Sequence, residues 1–164
     1  MKTLARHPKA IFLGQSVKAG GTAMSATFRD VPADKLLELP VFENTQLGMS
    51  TGMALAGWLP VSAYSRWPFL LEASSQLVQH LDRIPMYSCG GYKPRVIIRT
   101  AIPTPEPLDP GPQHLGDFTD AFRLMLKTVR VVRLYEAEDI VPEYQQAMER
   151  DGSTILVELT GKYT

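Results

Sequence analysis

Leu39-Pro-Val-Phe-Glu-Asn-Thr-Gln-Leu-Gly48 is the stretch on which the reading of this chain turns. A short apolar run ends at Phe42, and an acid, Glu43, opens the next segment. Glu43 to Gly57 reads as a helix of unusual make-up: Gly48, Ser50, Gly52, Ala54, Ala56 and Gly57 are all small. Glycine inside a helix costs about 1 kcal/mol against alanine. The composition therefore predicts a helix stabilised by close packing against another backbone. An acid in a first turn is favoured by the helix dipole, so Glu43 has a structural use as a cap as well as any chemical one.

Working outward, apolar runs alternate with helical patterns. Ala10 to Val17 reads as a buried strand broken by Gly20-Gly21. Pro32 to Glu38 reads as a short helix, with Pro32 suited to a first turn. Leu59 to Tyr64 is a strand. Pro68 to Arg83 is an amphipathic helix with Leu70, Leu77, Val78 and Leu81 on one face. Arg95 to Ile102 is a strand, and a loop with five prolines between Pro103 and Pro112 comes next. Asp117 is placed to cap a helix running through Lys127, with Phe118, Phe122 and Met125 inward. Val129 to Leu134 is a strand, Ala137 to Arg150 a helix, and Thr154 to Leu159 a last strand. Continuous apolar strands alternating with helices predict an α/β fold of three layers, with a mainly parallel sheet covered on both faces. In such sheets sites form beyond the carboxyl ends of the strands. Here those segments are 14–21, 65–69 and 103–114.

Composition narrows the function. A chain of 164 residues fits one domain able to bury roughly two thirds of its unfolded surface. Lys plus Arg and Asp plus Glu stand at 17 each, and no basic stretch interleaves with aromatics, which argues against a nucleic-acid partner. The single cysteine, Cys89, cannot form an internal disulfide and favours a reducing compartment. The start, Met1 to Lys9, is basic, but Ala10-Ile-Phe-Leu13 is too short for a signal core or a membrane span. The simplest expectation is a soluble, cytoplasmic protein without membrane or nucleic-acid partners. Three scattered histidines and one cysteine give no zinc spacing, and no glycine-rich phosphate loop is present.

Three features recur together along the chain. They are Glu43 at its helix start, the aromatic segment Tyr64-Ser-Arg-Trp-Pro-Phe69, and His114 in Asp109-Pro-Gly-Pro-Gln-His-Leu115. Two longer stretches accompany them, Gly48 to Pro60 with its Gly-x-x-Pro ending, and Met86-Tyr-Ser-Cys-Gly-Gly91. In order and spacing the set resembles the pyrimidine-binding domain of transketolase-type thiamine-diphosphate enzymes, and most of all the beta subunit of 2-oxoacid dehydrogenases such as pyruvate dehydrogenase. The resemblance covers about residues 10 to 160.

The resemblance implies a role for each residue. Glu43 shares a proton with the cofactor's aminopyrimidine ring, for which it must be poorly solvated. Phe69 stacks on that ring, a contact worth roughly 0.5–1.5 kcal/mol beyond burial, with Tyr64 and Trp67 as alternative stackers. His114 faces the reacting carbon and handles protons, for which its neutral-range titration suits it. Asp139 falls where the family has an acid. Glu43, Phe69 and His114 are expected to line one cleft at the carboxyl edge of the sheet.

The departures are equally informative. The family often has Gly-Glu-Asp after the first strand, where this chain has Gly14-Gln15-Ser16, and the residue after His114 is Leu115 in place of serine. No Gly-Asp-Gly motif occurs, and the sole asparagine is Asn44. The magnesium that holds the cofactor's diphosphate is therefore expected on a separate, alpha-type diphosphate-domain subunit. By this reading residues 1–164 form one pyrimidine-binding domain, without the diphosphate and carboxy-terminal domains. It would work as a homo- or hetero-oligomer in which the Gly48–Gly57 helix offers a contact surface. Its substrate would be a 2-oxo acid or a sugar phosphate. A non-catalytic binding or modulating module that keeps the fold is the alternative. An unrelated flavodoxin-like domain is disfavoured for want of a loop that would hold an anionic cofactor.

Overall fold

The computed structural model describes residues 1–105 and 109–162. The elements run α1 (Lys2–Ala5), β1 (Ala10–Gly14), β2 (Leu36–Glu38), α2 (Glu43–Leu55), β3 (Leu59–Ala63), α3 (Trp67–Leu71), α4 (Ile84–Tyr87), β4 (Ile97–Ile102), α5 (Thr119–Met125), β5 (Arg130–Arg133), α6 (Ala137–Glu149) and β6 (Thr154–Leu159). The strands form one six-stranded sheet in the order β2-β1-β3-β4-β6-β5. Every pairing is parallel. Five of the strands are the apolar runs; the sixth, β2, lies where the sequence predicts a short helix. Only 33–35 there form a helical turn, and Leu36 is already extended (φ −100, ψ 123), so that Leu36 to Glu38 pair with Phe12 to Gly14. Pro32 initiates a single turn, and the pairing edge of β1 takes the rest.

The two faces of the sheet carry separate apolar layers. Phe12, Val61, Ile97, Ala101 and Leu156 point into one, with Phe28, Leu134 and Tyr144. Ile98, Ile155 and Val157 point into the other, with Leu47, Trp67, Leu70, Leu77, Phe122 and Leu126. Each fully buried Leu, Ile or Val side chain contributes roughly 1.5–3 kcal/mol. The first layer also encloses charge. Arg99 on β4 donates Nε and Nη2 to Glu158 on β6 at 2.6 and 2.7 Å, and Nη1 to Thr27 Oγ1 at 2.6 Å. The Tyr144 hydroxyl donates to the same Glu158 carboxylate. Each charge is paired, as a buried charge must be.

α2 ends where its chemistry says it should. Gly57 takes φ +85, its N–H bonds to Ala54 O at 3.1 Å, and Trp58 N–H bonds to Met53 O at 3.0 Å. That is the reciprocal pair of a glycine-terminated helix. The expectation of backbone-to-backbone packing is not met among the described residues. A Cβ on Gly48 would meet only the side chain of Gln76, at 3.7 Å, and on Gly52 nothing within 4 Å. The helix buries Gln46, Leu47, Ser50 and Thr51, leaves Gly48 half-buried beside Gln76 and turns Gly52 outward.

Residues 68–83 do not form one helix. α3 ends at Leu71, 76–81 make a wide helical turn in which Asp82 N–H bonds to Leu77 O at 2.9 Å, and α4 starts at Ile84 with Pro85 in its first turn. The break turns Asp82 inward, where its buried carboxylate accepts the N–H groups of Lys127, Thr128 and Val129 at 2.7–3.1 Å. Phe118 is the N-cap of α5; Asp117, one residue earlier, accepts the N–H and hydroxyl of Thr119 at 3.0 and 2.5 Å, and α5 closes at Met125. No described helix is long and apolar enough to cross a membrane, and no group of three metal-ligating side chains occurs among the described residues.

Candidate functional site

The carboxyl ends of β1 and β3 lie side by side, and the start of α2 sits above them. Gly14, the last residue of β1, has φ +151, and a Cβ there would come within 2.3 Å of Ala63 O. Only glycine permits that approach. Gln46, one turn into α2, is buried. Its amide Nε2 donates to Ser62 Oγ and Ala63 O, both at 3.0 Å. The Tyr64 hydroxyl donates to the backbone carbonyl of Glu43 at 3.2 Å. These bonds tie the first turn of α2 to the end of β3 and fix where Glu43 stands. Burial, and to a smaller extent the Glu43 carboxylate, pushes the Tyr64 phenol well above its ordinary range, so Tyr64 stays a neutral donor.

Glu43, half-buried, lines a small cleft with Gln15, Gln46, Tyr64, Ser65 and Phe69. Its carboxylate makes no hydrogen bond to any described residue. Phe69 is half-buried on α3, which begins directly after β3 with Pro68 in its first turn. Against it lies His114, ring centroids 5.5 Å apart and planes at 62°. His114 belongs to a short turn, Pro112–His114, entered through Gly111 at φ +87 and an Asp109 carboxylate that accepts Gly111 N–H at 2.8 Å. The buried Nδ1 of His114 has no hydrogen-bond partner among the described residues. Glu43 and Phe69 thus share one cleft, and His114 touches it through Phe69.

Trp67 is a correction. Its ring is fully buried, stacked on Phe122 at 5.1 Å and 28° and edge-on to Phe118 at 6.4 Å. It faces the core layer and is not available to a ligand at the cleft. Tyr64, only 2% exposed, supports the helix start and leaves Phe69 as the aromatic with free surface. Asp139 is the N3 acid of a capping box with Glu136 at the start of α6. Residues that spacing alone did not single out are Gln15 and Gln46. The signal was available for Gln46, a polar residue three positions after Glu43 on the helix's inward side.

A carboxylate with no hydrogen-bond partner among the described residues, beside a half-buried aromatic ring, suits a polar heteroaromatic ligand: one group to bond a ring nitrogen and one face to stack. No family model matches the chain. Over 99 residues it is 29% identical to the pyruvate dehydrogenase E1 component subunit beta of Chaetosphaeridium globosum, which spans 58% of this chain and 30% of that protein. Over 97 residues it is 30% identical to the same subunit of Staurastrum punctulatum, spanning 57% and 30%. The matched part is thus less than a third of the length of those relatives. Among solved structures, a split-gene transketolase described as an inactive beta4 tetramer superposes with TM-score 0.72 at 17% identity, over 95% of this chain and 47% of that one. Transketolase from Campylobacter jejuni gives 0.72 at 16%, over 95% and 23%. A chain described as a thiamin diphosphate-dependent enzyme from Mycobacterium smegmatis gives 0.66 at 19%, over 94% and 28%. The chain therefore has the fold of the transketolase-like pyrimidine domain of thiamine-diphosphate enzymes, and in sequence it is similar to pyruvate dehydrogenase beta subunits.

Proposed function

We propose that this chain is the pyrimidine-domain part of a split thiamine-diphosphate enzyme acting on a 2-oxo acid or a ketose phosphate. The observation that carries the reading is the carboxylate of Glu43 on the cleft shared with Phe69. It has no hydrogen-bond partner of its own among the described residues. When bound, the cofactor supplies a thiazolium carbon that attacks a carbonyl and stores the electrons of the broken bond. This chain's part is to hold the other ring. Glu43 holds a proton at its carboxyl against a ring nitrogen, Phe69 stacks on the ring face, and water is excluded by Tyr64, Gln46 and the end of β3. His114, whose ring lies edge-on to Phe69, handles a proton for a group beyond Phe69 in this reading; a positioned acid or base of this kind contributes roughly 10²–10⁴-fold in rate.

We place magnesium and the diphosphate on an alpha-type subunit, a reading supported by the likeness to pyruvate dehydrogenase beta subunits. The split-gene transketolase neighbour, described as an inactive beta4 tetramer, supports both self-association and the need for a second chain. Calorimetry with thiamine diphosphate and magnesium tests this. The chain by itself binds the cofactor weakly, and adding a diphosphate-domain subunit tightens binding by orders of magnitude. Tight, magnesium-dependent binding by the chain alone contradicts the split. No binding with any such subunit returns the protein to a non-catalytic module.

A further inference from the structure

The turn after β1 is held by a group from the neighbouring strand. Ser16 lies in the left-handed region at φ +61, a conformation that a residue with a side chain keeps only where its surroundings impose it. Glu38 ends β2 directly beside Gly14 in the parallel register. Its Oε1 accepts Ser16 N–H at 2.5 Å, and its Oε2 accepts Lys18 N–H at 2.6 Å and Ala19 N–H at 3.2 Å. Backbone N–H groups that converge in this way make a concave anion site. Here the chain's own carboxylate fills it, and hydrogen bonds to an ionised acceptor are about twice as strong as neutral ones. On the opposite side Gly14 is pressed against Ala63 O. The one residue between these two pins is Gln15, and Gln15 lines the cleft beside Glu43.

We propose that Glu38 is a positioning residue for the cleft: its charge closes the 16–19 turn and presents Gln15, a neutral amide, to the same polar ring that Glu43 bonds. This rests on the thiamine-diphosphate reading. Fixing the turn before the ligand arrives lowers the ordering cost of binding. An amide at position 15 also leaves Glu43 as the only carboxylate lining the cleft among the described residues, so its proton is shared with the ligand and not with a second acid.

The test is Glu38→Gln, which keeps the size, removes the charge and turns an NH₂ toward N–H donors. In the chain alone, hydrogen exchange of the Ser16, Lys18 and Ala19 amides quickens about tenfold or more, as loss of a charged hydrogen bond implies. Amides in β3 and α6 keep their rates. In the complex with a diphosphate-domain subunit, Glu38→Gln and Gln15→Ala each weaken thiamine diphosphate binding about tenfold or more, on the same scale of lost polar contacts. Unchanged exchange at the three amides overturns the anchoring. Faster exchange with cofactor affinity unchanged in both variants makes Glu38 a fold-stabilising residue only and overturns the positioning. A wild-type complex that takes no cofactor overturns the reading of the site and the positioning with it, and the exchange arm still reports the anchor separately.

Discussion

Trp67 and Phe69 stand two positions apart and face opposite ways. Trp67 is locked between Phe118 and Phe122, while Phe69 meets His114 at the cleft. Their spacing makes both legible as aromatics near a site. Which one turns outward depends on α5, some fifty residues further along the chain, and no local signal carries that. Trp67→Ala should cost about 3–5 kcal/mol of stability, the range for a fully buried large aromatic. Phe69→Ala should cost much less and weaken ligand binding. Urea unfolding of the two variants checks the order; equal losses would place Phe69 in the core as well.

Tyr64 gives a pH signature. Its folded-state pKa is raised, mainly by burial, so the native state keeps a proton that the unfolded state loses near pH 10. Stability is fully present below that pH and falls as pH rises above it. Tyr64→Phe should flatten part of this alkaline loss. Tyr144, also raised by burial, retains the remainder. Urea midpoints at pH 9 and pH 11 decide it, and an identical slope in the variant would contradict the assignment.

At the scale of elements, long continuous apolar runs are legible. The strands at 59–63, 97–102, 130–133 and 154–159 fall where alternation of apolar run and helix puts them. Two elements are not. Leu36 to Glu38 is three residues long and becomes a strand only because β1 offers a pairing edge, a tertiary event. The 68–83 segment has helical periodicity throughout, yet its turns widen and break so that Asp82 can bond the 127–129 backbone. α2 is legible at both ends, from the acid at Glu43 and the glycine at 57. Its small residues suggest close packing on another backbone, whereas Gly48 meets only the Gln76 side chain and Gly52 faces outward. Since Gly57 sits at φ +85, Gly57→Ala should cost about 1–2 kcal/mol, read as a lowered urea midpoint with an unchanged slope. An unchanged midpoint would mean that the helix ends without the left-handed residue.

At the scale of the whole molecule, one parallel sheet brings its carboxyl edge, the α2 start, α3 and the Pro112–His114 turn to one side. Residues 15, 43 and 69 line one cleft there, and His114 packs on Phe69, although up to about a hundred positions separate them. The motif order singles out Glu43, Phe69 and His114 in advance; Gln15 and the supporting bonds of Gln46, Tyr64 and Glu38 need the fold. Glu43 is the residue on which the proposed chemistry turns. In a complex with a diphosphate-domain subunit shown to hold thiamine diphosphate, Glu43→Gln keeps the size of the side chain and removes the shared proton. Exchange of the thiazolium C2 proton, followed by NMR after acid quench, should slow by roughly 10²–10⁴-fold, with cofactor affinity changed far less. An unchanged exchange rate in the loaded complex would make Glu43 a helix-start residue and the protein a non-catalytic carrier of this fold.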